Sequence, residues 1–176
     1  HSIVHIEGTG TSNPGGVDNA TFWGLEFRDA TGVNGGAVHQ AGGKVYFVDC
    51  KFTRNHAHHG GALYITAADP PAHCTTALAP GCSKGGTSQQ TIFVTLVTRC
   101  AFDNNTADCD GGAIAVAAGF VQVALSTFEG NSAGGSGGAM HVLKGDVNVL
   151  ASTIHGNTAT ATGGSFGAEG DEAIKL

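Results

Sequence analysis

The sequence predicts an all-β chain wound as a parallel β-helix of about five to six coils, with about 25 residues per coil and one inserted loop. Three observations carry this. Gly-Gly pairs begin at Gly35, Gly60, Gly111, Gly137 and Gly163, in steps of 25, 51, 26 and 26 residues. Phe52, Phe102, Phe128 and Ile154 move in phase with them, each followed three residues later by Asn55, Asn105, Asn131 and Asn157. Between these landmarks the chain alternates apolar and polar at period two, the mark of strands with one face in and one out.

Each unit reads as strand, Phe-x-x-Asn turn, Gly-Gly turn, strand, giving two or three short strands per unit. After the Gly-Gly pairs come Val38, Leu63 with Ile65, Ile114 with Val116, and Met140 with Val142. A second strand precedes each Phe, over 45–48, 93–97, 121–125 and 147–150. Phe27 keeps the phase, with Ala30 in the Asn place. The double step of 51 residues holds an insertion over about 67–90, so the chain is one domain, 1–176, with a loop leaving and rejoining the coil. A single coil cannot bury its own apolar face, so stacked coils share one core. Val38, Phe52, Leu63, Phe102, Ile114, Val123, Phe128, Met140 and Val149 are expected in it. The Asn positions are expected to form a ladder of amides at a turn. Asp49 stacks on Arg99 and Asp29 on Arg54 in this alignment, and such opposite charges support it. A leucine-rich repeat has a similar period but wants an apolar residue where Cys50, Cys100, Ser126 and Ser152 stand.

The paired motifs Phe52-Thr-Arg-Asn55 with Gly60-Gly-Ala-Leu63, Phe102-Asp-Asn-Asn105 with Gly111-Gly-Ala-Ile114, and Phe128-Glu-Gly-Asn131 with Gly137-Gly-Ala-Met140 resemble the repeat of chlamydial polymorphic outer membrane proteins. The resemblance covers about residues 20–167. It implies a right-handed β-helix of the pectate-lyase-like superfamily, displayed on a cell surface for adhesion or scaffolding. It brings no catalytic residues with it. The chain starts and stops mid-coil, as a piece of a longer protein would.

Composition bounds the remaining classes. Charged residues are 12% and the formal net charge is -6, with no basic cluster, so nucleic acid is not an expected partner. No apolar run is long enough to span a membrane. Expected partners are other protein subunits or surface glycans, through coil-to-coil or lateral assembly. Of the five cysteines, Cys74 and Cys82 flank a Pro/Ala/Gly stretch and read as a loop disulfide in an oxidising compartment. Cys50 and Cys100 share a column and are expected reduced and buried, because parallel stacked side chains seldom reach disulfide torsions. Asn19-Ala-Thr21 and Asn104-Asn-Thr106 are glycosylation sequons, although such triplets also arise by chance.

Several constellations carry chemistry. Pectin-cleaving enzymes work on the outer face of this fold, but need clustered carboxylates. Here Asp108 and Asp110 lie close together in a turn beside Cys109, and the other acidic residues of the repeats are scattered. Aligned from the Asn landmarks, His58 falls on Asp108 and His59 on Cys109. His58, His59 and Cys109, with Asp108 or Asp110 alongside, thus offer the donors for a zinc or copper ion. The alternative is a polar turn with incidental histidines. Binding there needs neutral imidazoles and a thiolate, so affinity should fall below about pH 6. His1 and His5 are about 13 Å apart in a strand and cannot share a metal. His39, Tyr64 and His141 share an outward column that either grips sugars or simply faces solvent. The functional expectation is a structural or adhesive extracellular module. A polysaccharide-active enzyme and a metal-binding surface protein are the alternatives.

Overall fold

The computed structural model describes residues 3–7, 19–66, 94–168 and 173–175. They form a right-handed parallel β-helix of about five turns with no helix. Each turn gives one strand to each of four sheets. The first holds β1 (Val4–Glu7), β2 (Asn19–Trp23), β3 (Glu26–Arg28) and β4 (Thr31–Asn34). The second holds β5 (Val38–Ala41), β6 (Lys44–Val48), β7 (Lys51–Thr53) and β8 (His56–His59). The third holds β9 (Leu63–Thr66), β10 (Val94–Thr98), β11 (Ala101–Asp103) and β12 (Thr106–Ala107). The fourth holds β13 (Ile114–Val116), β14 (Phe120–Ala124), β15 (Thr127–Glu129) and β16 (Ser132–Ala133). The fifth holds β17 (Met140–Val142), β18 (Asp146–Leu150), β19 (Thr153–His155) and β20 (Thr158–Ala159), and β21 (Phe166–Ala168) and β22 (Ala173–Lys175) follow.

Every pairing is parallel and joins strands one coil apart. The insertion lies between β9 and β10, yet β10 pairs with β6 below it and β14 above it, so the coil closes as if the insertion were absent. The repeat therefore uses four strands per coil rather than two or three. The extra sheet holds β4, β8, β12, β16 and β20, whose short segments bury mainly alanine (Ala57, Ala107, Ala133).

The interior is a set of columns at one-coil spacing. Phe27, Phe52, Phe102 and Phe128 stack with centroids 4.9, 4.7 and 4.6 Å apart and ring planes within 6°. All nine expected core residues are buried, Val149 the least at 4% exposed. Beside the phenyl stack runs the asparagine ladder. Asn55 donates from its backbone N and Nδ2 to Asn105 Oδ1, Asn105 does the same to Asn131, and Asn131 to Asn157. Each Nδ2 also donates to the carbonyl of a phenylalanine one coil back (Phe27, Phe52, Phe102, Phe128). Ala30, in the Asn place, donates its N–H to Asn55 Oδ1.

A second ladder was not apparent from sequence. Cys50 N donates to Cys100 Sγ at 3.4 Å, Cys100 N to Ser126 Oγ, and Ser126 N to Ser152 Oγ. The thiols stand where hydroxyls stand higher up, and Cys100 Sγ, like Ser126 Oγ, accepts a backbone N–H from the coil below.

Three corners of each coil place one residue at positive φ. Gly24, Asp49, Arg99, Leu125 and Ala151 form one such column, and Asp29, Arg54, Asn104, Gly130 and Gly156 the next. The third is glycine throughout: Gly35, Gly60, Gly111, Gly137 and Gly163. Space explains the difference. A Cβ at Gly24 meets nothing within 4 Å, whereas one at Gly60 or Gly111 falls on the carbonyl of Leu63 or Ile114. The open corners carry the ion pairs. Arg54 grips Asp29 at 2.8 and 2.9 Å, and Arg99 grips Asp49 at 2.7 and 2.9 Å, with Trp23 Nε1 also donating to Asp49. The arginine hydrogen bonds hold both carboxyls below their ordinary 3.8. Their contribution is therefore complete above about pH 4 and is lost as pH falls through the lowered value.

Candidate functional site

The site forms where β8 and β12 run up to the glycine corner. His56 pairs with Thr106 and Ala57 with Ala107, and the ladder continues as Asp108 N to Ala57 O and Cys109 N to His58 O. His56, His58 and His59 therefore all lie within a strand rather than a turn. Ala57 and Ala107 point inward, so His56, His58 and Asp108 point out. Four residues, 56–59, separate Asn55 from Gly60, but five, 106–110, separate Asn105 from Gly111. The extra residue lets Cys109 and Asp110 both reach the histidines before the chain turns.

The outcome is a tight group of donors. One ligand atom each of His58, His59 and Cys109 lie within 4.8 Å of one another. His58 Nε2 is 3.3 Å from Cys109 Sγ, and the two imidazoles stand edge to face with centroids 4.8 Å apart. The carboxylates lie near the Nδ1 atoms, that of His58 being also 3.8 Å from Cys109 Sγ. Asp110 Oδ2 lies 3.6 Å from His59 Nδ1, and Asp108 Oδ2 lies 3.8 Å from His58 Nδ1. Asp108 Oδ1 also lies 3.5 Å from His56 Nε2, while His56 Nδ1 meets Thr106 Oγ1 at 2.9 Å. Burial, with help from His58 and against the pull of Asp110, holds the His59 imidazole below its usual value. Neutral imidazole is the form that binds metal.

Asp110 is fixed from the coil above, where Ser136 N donates to its Oδ1 at 2.8 Å. On the adjoining coils Asn34 is level with His59 on one side, and Gly134, Gly135 and Ser136 stand on the other, so among the described residues no His, Cys, Asp or Glu of those coils joins the group. His59 and Asp110 also line a cleft of about 120 Å³ with Tyr64, Ala115, His141 and Leu143. The dent exists because Ala115 sits in register between Tyr64 and His141.

The other candidates fall elsewhere. His39 and Tyr64 are half-buried and meet edge to face at 5.2 Å. His141 is only 4% exposed, so this column is not uniformly solvent-facing. Its ring lies over Gly167, where a Cβ would come within 2.9 Å of His141 Cδ2. Asn19 and Asn104 are both exposed, Asn19 at the start of β2 and Asn104 at a corner. Cys74, Cys82 and His1 lie outside the described residues, and His5 is level with His39 in β1.

Cys50 and Cys100 are free and buried, and Cys109 is free and partly exposed. Burial pushes the Cys100 thiol up to about 12. A thiol reagent at pH 8 is therefore expected to modify Cys109 in the native protein and to leave Cys50 and Cys100 untouched until denaturant is added. Equal labelling of Cys100 and Cys109 under native conditions would refute the buried ladder.

Residues 99–117 match the family model of the Chlamydia polymorphic membrane protein repeat. That stretch runs from Arg99 through β11, β12 and the glycine corner and past β13, so the match falls on the coil that supplies Cys109. No curated protein and no solved structure matches the chain. Among the described residues no helix is long and apolar enough to cross a membrane.

Proposed function

We propose that this chain is a structural or adhesive β-helical module displayed at an extracellular surface, where it meets other protein subunits or surface glycans. The supporting observation is the contrast between its two faces. In one sheet the inward column reads Phe27, Phe52, Phe102, Phe128 and Ile154. The column beside it reads Glu26, Lys51, Ala101, Thr127 and Thr153. The interior is held constant while the exterior varies freely, as suits a scaffold whose outside carries the specificity. The repeat at 99–117 agrees with a surface role.

A membrane-impermeant amine reagent applied to intact source cells is expected to label this protein through Lys51, whose side chain is 52% exposed. Labelling only after lysis would overturn surface display. The rival reading is a polysaccharide-active enzyme using the Asp108/Asp110 pair. Incubation with pectin, alginate and other polyuronates is expected to release no product. Turnover that is lost in Asp108→Asn or Asp110→Asn would decide for the enzyme.

A further inference from the structure

We infer that His58, His59 and Cys109 form a zinc(II) site of three protein ligands, with Asp110 and Asp108 orienting the imidazoles and the fourth position left to water or a small anion. This goes beyond the surface role and does not depend on it.

The distances come first. A tetrahedral zinc with Zn–N of about 2.05 Å and Zn–S of about 2.3 Å sets its donors about 3.4 Å (N to N) and about 3.6 Å (N to S) apart. The His58 Nε2–Cys109 Sγ separation of 3.3 Å is within about 0.3 Å of such an edge. The widest separation in the group, at most 4.8 Å, has to close by only about 1.4 Å against that geometry. His58 is 53% exposed and His59 35%, so both rings can turn to do so. Two imidazoles and a thiolate are a borderline-soft set, which suits zinc and disfavours calcium or magnesium.

The carboxylates mark the roles. His58 has Nε2 nearest the sulfur, at 3.3 Å, and Nδ1 3.8 Å from both that sulfur and Asp108, while His59 has Nδ1 against Asp110, so that Nε2 is the nitrogen it would give to the metal. Metal-binding histidines commonly have this arrangement, since a carboxylate on the second nitrogen fixes the tautomer and the ring direction. Asp110 is the better placed of the two, because Ser136 N–H holds its other oxygen. Asp108 is shared between His58 and His56 and is 59% exposed, so it orients less. The ligands come from two coils and the strongest orienter is held by a third. A bound ion would tie adjacent coils together at the level where the chain rejoins after the insertion.

The fourth position follows from the cleft. His59 and Asp110 belong to both the cluster and the cleft, so that side of the ion opens into it. A cleft of about 120 Å³ has room for water, hydroxide or a small anion on the ion.

The test uses the full chain, stripped of metal, reduced and titrated with zinc against a chromophoric chelator, then loaded with cobalt(II). One equivalent of zinc and a cobalt–thiolate charge-transfer band are expected. Both should be lost in Cys109→Ser and kept in a Cys74→Ser/Cys82→Ser double variant. Asp110→Asn preserves the acceptor for Ser136 N–H, and is expected to weaken zinc about 10–100-fold while the cobalt band remains. Azide added to the cobalt form should shift its visible bands. Circular dichroism confirms that each variant is folded. Equal zinc uptake by wild type, His59→Ala and Cys109→Ser would overturn the site. An undiminished affinity in Asp110→Asn would overturn its orienting role, and a cobalt spectrum indifferent to azide would overturn the open position.

Discussion

Replacing Asn105 by alanine is expected to cost about 3–5 kcal/mol, read from urea unfolding. The residue is fully buried and serves as the middle rung of the amide ladder. Its Oδ1 accepts from Asn55 N and Nδ2, and its Nδ2 donates to Phe52 O and Asn131 Oδ1. Truncation strands the Asn55 backbone N–H, and it takes the side-chain donor from the Phe52 carbonyl. Each buried orphan costs about 1–3 kcal/mol, because no water reaches it. Asn131 is less affected, since its Oδ1 keeps the Asn105 backbone N–H. Asn157 is the internal comparison: it sits at the ladder's partly buried end, and Asn157→Ala should cost clearly less. Equal losses at the two positions would mean that the ladder is not a cooperative buried network.

Gly111→Ala is expected to cost about 2–5 kcal/mol, against at most a small change for Leu125→Gly. The two positions share a left-handed backbone, at φ 69° and 54°. An L-residue there costs about 1–2 kcal/mol by itself. At Gly111 the added Cβ also falls on the Ile114 carbonyl, so the corner must open, and such overpacking costs about 1–3 kcal/mol more. Leu125 already bears the backbone cost, and the residue is 59% exposed. Removing that side chain relieves strain while adding unfolded-state freedom, and the balance lies between no change and a gain of about 1 kcal/mol. Thermal midpoints of the two variants give the order directly. A Gly111→Ala protein as stable as wild type would show that this corner has room that its geometry denies.

The repeat was legible because in a solenoid the sequence period is the structural period. A residue one coil away in sequence is a nearest neighbour in space, so the Phe and Asn columns, the Asp49–Arg99 and Asp29–Arg54 pairs and all nine core residues follow from alignment alone. The candidate ligands were legible for the same reason, since counting from Asn55 and Asn105 puts His58 and His59 beside Asp108 and Cys109. Tertiary structure decided what counting cannot reach. The fourth sheet was hidden because its strands are short and bury alanines, which leave no apolar alternation to read. The Cys50–Cys100–Ser126–Ser152 column became a ladder only when the direction of each side chain toward the next backbone N–H was known. His141 is buried although its strand position points outward, because its ring lies over Gly167. The grouping of His58, His59 and Cys109, with Asp108 and Asp110 near the Nδ1 atoms, depends on one extra residue before Gly111 and on the N–H of Ser136. Sequence determined which residues stack, because stacking is a matter of register. Only the folded chain decided where their atoms point, because direction is set by corners, backbone donors and neighbouring volumes on other coils.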